Sequence, residues 1–97
     1  MIGKMRALGV AWFRREDYQR IREISNDDMI PTFEEWEAKM IKFLASREAP
    51  DVMLEKVIID PDELLAFSRT HSGGKIDTKV RGAFAASVVA KKYGTNH

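Results

Sequence analysis

Ala7-Leu-Gly-Val-Ala-Trp-Phe-Arg-Arg-Glu-Asp-Tyr18 is the stretch on which the fold of this chain turns. In its first half, bulky Leu8, Val10 and Trp12 alternate with Ala7, Gly9 and Ala11. That is the period of a strand with one filled face and one nearly bare face. A bare face invites close approach by another element. In the second half the period changes. Glu16 and Asp17 sit where a helix macrodipole favours acids, and Tyr18, Ile21 and Ile24 follow at helical spacing. A strand running straight into a helix is therefore predicted, with Asn26-Asp27-Asp28 ending the helix.

The same grammar returns in Val57-Ile-Ile-Asp-Pro-Asp-Glu63. Val52 to Ile59 is rich in β-branched residues and reads as the second strand. Asp60, Pro61, Asp62 and Glu63 then read as N-cap, N1, N2 and N3 of a third helix, with proline where its missing N–H costs nothing. Shared capping chemistry accounts for the echo without a duplicated unit. Between the strands, Thr32 and Glu35 form a capping box, with Pro31 and Trp36 placed as a hydrophobic staple. Phe33, Trp36, Met40, Phe43 and Leu44 continue at helical spacing until Pro50 stops the helix. In the third helix Leu64, Phe67 and Ser68 are expected to face inward, and His71-Ser72-Gly73-Gly74 closes it with a glycine in the left-handed conformation. Asp77 caps a last helix with the stripe Ile76, Val80, Phe84 and Val88, ending at Lys91 and Lys92 with Gly94 just beyond. The order strand, helix, helix, strand, helix, helix predicts an α+β (or small α/β) two-layer domain, helices over a small sheet, made as one unit from residues 1–97. The sequence leaves the relative direction of the two strands open.

Composition narrows the classes. At 97 residues, 44% hydrophobic and with nine aromatics, the chain has enough apolar material to close one core. With no cysteine, disulfides, thiolate zinc sites and cysteine nucleophiles are excluded, and a reducing, cytoplasmic setting is expected. The run Ala7 to Phe13 is too short for a signal peptide and meets Arg14-Arg15-Glu16-Asp17. No apolar run approaches the ~20 residues that span a bilayer. Net charge is +1 but it is segregated: +4 over residues 1–15, −8 over 16–63 and +5 over 64–97. Such a pattern suits ion pairing within the chain or between subunits better than blanket binding to nucleic acid.

Val10-Ala-Trp-Phe-Arg-Arg-Glu-Asp-Tyr18, Pro31-Thr-Phe-Glu-Glu-Trp36 and Ile59-Asp-Pro-Asp-Glu-Leu-Leu-Ala-Phe67 together resemble a group of small bacterial proteins of no assigned activity. The resemblance covers residues 7 to about 70. It implies the architecture of a strand running into a charged helix start, and no function.

Three constellations carry chemistry. In a parallel sheet the two strand ends would bring Arg14, Arg15, Glu16 and Asp17 beside Asp60, Asp62 and Glu63. Arginines suit a phosphate or carboxylate, and clustered oxygens suit a divalent cation. Capping and ion pairing explain the same residues, so no metal and no cofactor are expected. Lys75, Lys79 and Arg81 follow the Gly-Gly turn as a helix-turn-helix would place them, but Gly82-Ala-Phe-Ala-Ala-Ser-Val-Val-Ala90 offers no side chain that reads a base edge. Finally, Gly82, Ala86 and Ala90 recur at i, i+4 and i+8 on a second face of the last helix, a candidate interface. The histidines, His71 and His97, are too few for a histidine-rich metal site. The expectation is a small non-enzymatic domain acting through protein association. A homodimer is expected first, and a second protein stands as a further partner. The alternatives are a ligand- or metal-binding enzyme at the strand ends and a nucleic-acid binder through the basic tail.

Overall fold

The structure is a computed structural model and describes residues 6–46 and 52–94; the expected helix stop at Pro50 lies outside them. The elements are β1 (Arg6–Trp12), α1 (Arg15–Ile24), α2 (Phe33–Ser46), β2 (Val52–Ile58), α3 (Pro61–His71) and α4 (Thr78–Lys92). The α+β order of the sequence is the order found. β1 and β2 form a two-stranded parallel sheet in the register Arg6↔Val52 to Trp12↔Ile58. Because register partners share a face, Leu8, Val10, Trp12, Leu54, Lys56 and Ile58 lie on one side. Ala7, Gly9, Ala11, Met53, Glu55 and Val57 lie on the other.

Local chemistry sets the helix starts. Asp60 accepts the backbone N–H of Asp62 and of Glu63 at 2.9 and 3.1 Å, and Asp77 accepts that of Val80 at 3.0 Å. Thr32 accepts the Glu35 N–H at 3.1 Å. The second half of that box differs from expectation, since the Glu35 carboxylate takes the Thr32 hydroxyl, at 3.0 Å, in place of a backbone N–H. Gly73 and Gly74 follow α3 with φ of 66° and 92°, the left-handed conformation expected there.

The bare face of β1 is met by α4. A Cβ built on Gly9 would fall 2.5 Å from the Ala85 carbonyl oxygen and 2.9 Å from Val89 Cγ2, so helix backbone lies where a side chain would project. This contact corrects the expected stripe of α4. The helix turns Arg81, Phe84, Ala85 and Val89 inward, whereas Val88 is 37% exposed and Val80 only half-buried. Small Ala85 fits beneath Gly9 where a valine at the same point would not, so shape complementarity outweighs the larger side chain. At the carboxyl end of β1, Trp12, Phe13, Tyr18 and Trp36 are buried as one aromatic cluster, with half-buried Phe33 at its rim. Trp12 meets Trp36 edge-on at 4.9 Å, and Phe13 lies 4.8 Å from the same ring. Both tryptophans therefore belong to the core. Trp36 is the only buried residue of α2; Ile41 and Phe43 are exposed. Among the described residues no helix is long and apolar enough to cross a membrane.

Candidate functional site

Parallel strands do end side by side, and the charged residues after them meet. Arg14 lies 2.7 Å from Asp17 and 3.8 Å from Asp60. Arg20 lies 2.7 Å from Asp62. Arg15 pairs with Glu34 and stacks over Phe33 at 4.6 Å. Glu63 joins through its backbone N–H, which is donated to Asp60. Of the five residues singled out, Arg14 and Asp60 are thus brought together, Arg15 and Asp62 turn to other partners, and the Glu63 N–H is capped by Asp60. Each arginine is engaged by a carboxylate, and Asp60 is spent on the start of α3. Among the described residues no three His, Asp or Glu side chains converge as a metal would require. What the arrangement does chemically is neutralise charge at an exposed edge, which is worth little energy per pair.

A second polar constellation centres on a buried arginine, and the sequence offers no local signal for it. Arg81 is 7% exposed and clasps Asp27 with both terminal nitrogens, at 3.0 and 2.8 Å. The same nitrogens donate to Ser25 Oγ at 2.9 Å and Thr78 Oγ1 at 3.1 Å, while Thr78 donates to Asp27 at 3.0 Å. The hydrogen bonds from Arg81, with a smaller one from Thr78, hold the Asp27 carboxyl at about 2, well below its ordinary 3.8. One residue away, Asn26 donates its backbone N–H to the Ile76 carbonyl and accepts the Ile76 N–H on its side chain, at 2.7 and 2.8 Å. The loop after α1 is thereby buttoned to the turn before α4. Acid from the middle of the chain and base from its tail are joined internally, and Arg81 is withdrawn from the surface that a helix-turn-helix would present.

At its other end α4 is tied to β2, where Glu55 accepts Lys92 at 2.5 Å and the Tyr93 hydroxyl at 2.7 Å. His71 stacks on Phe67 at 3.9 Å, a helix-end role. Gly82 and Ala86, from the second face of α4, are exposed, as is Ala90; a Cβ on Gly82 would meet nothing within 4 Å. Among the described residues, neither Gly82 nor Ala86 is buried against the sheet. Beside them, a cleft of about 360 Å³ runs between the amino-terminal half of α4, the end of β1 and the loop before α2, lined by Val10, Ala11, Tyr18, Ile30, Trp36 and Gly82 among others. Tyr18 closes one wall by donating its hydroxyl to the Ile30 carbonyl at 2.7 Å.

The sheet face opposite α4 is only partly covered among the described residues. Parallel sheets are normally covered on both faces, yet here Leu8 is 40% and Ile58 47% exposed on the face opposite α4. Lys56 shields part of that face by lying 4.2 Å over the Trp12 ring. Compared with known proteins, the chain matches no family model, no curated protein and no solved structure.

Proposed function

We propose that this chain is a small, cytosolic, non-enzymatic module that acts through protein association, in the first place with a second copy of itself. The carrying observation is exposed apolar surface among the described residues: Leu8 and Ile58 on the sheet face opposite α4, Met53 on β2, and Ile41 and Phe43 on α2. The two strands lean on α4 from one face, and a sheet this small gains from further strands. Ion pairing at the strand ends supports a structural role for those residues over a catalytic one.

Light scattering across a concentration series tests the association. A mass near twice 11.1 kDa is expected at tens of micromolar. A single-chain mass throughout that range refutes it.

A further inference from the structure

The hydrogen bond from the Ile59 N–H to the Trp12 carbonyl, 2.9 Å, sets the phase of the parallel ladder. Backbone groups of alternate residues point the same way along a strand, so Leu8, Val10 and Trp12 turn theirs to β2. Ala7, Gly9 and Ala11 turn theirs outward. Among the described residues no hydrogen bond reaches the N–H or C=O of those three. Three donors and three acceptors therefore lie along one open edge. The outer edge of β2 carries exposed Lys56, a residue type that discourages strand addition; Ala7 to Phe13 contains no charge at all.

We infer that two copies of this chain join through the open edges of β1, antiparallel about a twofold axis at Gly9, to make one four-stranded sheet in the order β2-β1-β1-β2. This rests on the homodimer reading above and assigns its surface. The register follows from the edge. Centred on Gly9, the Gly9 residues of the two copies exchange both bonds, and Ala7 and Ala11 of one copy pair with Ala11 and Ala7 of the other. All six outward residues are then satisfied within the two strands, by six hydrogen bonds. A register centred on Leu8 or Val10 carries Ala11 or Ala7 past the partner strand. On the face away from α4, Leu8 and Val10 lie directly opposite Val10 and Leu8 of the partner subunit, so part of the exposed apolar face becomes two cross-strand pairs. The partner strand's amino-terminal end then lies at the mouth of the cleft beside Ala11. On the other face, neighbouring strands are only ~4.8 Å apart, while helices usually pack at 8–10 Å. Gly82, exposed and lining the cleft beside Val10 and Ala11, leaves that part of α4 without a side chain where the partner approaches.

Disulfide trapping tests this cleanly, because the chain has no cysteine of its own. Opposite residues between hydrogen-bonded pairs have Cα atoms ~4.5 Å apart, within disulfide range. Oxidising an equal mixture of Leu8→Cys and Val10→Cys should give the mixed disulfide dimer severalfold faster than either variant gives its own. A Lys56→Cys control should not cross-link. In parallel, Ala7→Pro removes an outward N–H without touching the bonds to β2, and should weaken the dimer at least tenfold at unchanged circular dichroism. A protein that is dimeric by light scattering, yet shows no preference for the mixed disulfide, overturns the edge pairing and leaves the association standing. A monomer overturns both.

Discussion

Asp27→Asn tests whether the buried clasp on Arg81 holds the two halves of the chain together. In the folded protein the Asp27 carboxyl sits at about 2, against 3.8 when free, because Arg81 donates to both of its oxygens. The gap between those values, at roughly 1.36 kcal/mol per pH unit, is about 2 kcal/mol of stability supplied by the ionised form. Asp27 is only partly exposed and Arg81 is buried, so solvent screens the pair less than it does the strand-end pairs. The folded value is depressed, so the contribution is complete above about pH 5 and is lost as pH falls through 3.8 toward 2. Urea unfolding of the two proteins should therefore differ by about 2 kcal/mol at pH 7, and the difference should shrink steadily below pH 4. Comparing the variant with the parent at each pH cancels the titration of the other carboxylates. Asp27→Ala should cost more, about 3–5 kcal/mol, because it leaves the buried guanidinium without an acceptor from that residue. Equal stability at pH 7, or a difference that stays constant down to pH 2, refutes the clasp.

Further outcomes follow from single contacts. Gly9→Ala drives a methyl into the Ala85 carbonyl, 2.5 Å away, and should cost about 1–3 kcal/mol by overpacking; an unchanged melting temperature would mean that α4 does not lie against β1. Asp60→Ala removes the acceptor for two N–H groups of α3 and should cost roughly 0.5–2 kcal/mol, read by the same urea titration. Because Arg14 and Arg20 are paired with Asp17, Asp60 and Asp62, calorimetric titration with magnesium, calcium or manganese should give no stoichiometric heat. A micromolar event abolished by Asp62→Asn would convert the strand ends into a metal site.

Much of the fold was legible because it is written in interactions three or four residues long. Asp60 and Asp77 cap their helices, glycines close α3, and the alternation of Ala7 to Trp12 makes a strand with one bare face, each within reach of its own neighbours in sequence. Even the close approach at Gly9 was readable as a vacancy. What fills it was not. Whether the strands run parallel, that Ala85 and Val89 in place of Val88 meet β1, and that Arg81 finds Asp27, 54 positions away, depend on how elements distant in the chain dock. A helical stripe read from hydrophobicity assumes that large apolar side chains go inward; α4 departs from it because a bare strand selects a small residue and a half-buried carboxylate draws in an arginine. The strand-end cluster shows the same division. Sequence spacing placed arginines and acids near one another, but only the packing of α1 against α3 decides that Arg20 takes Asp62 and Arg14 shares Asp60 with a helix cap. Likewise, alternation alone makes two strands, whereas the phase of the ladder between them decides which backbone groups of Ala7, Gly9 and Ala11 are left facing outward.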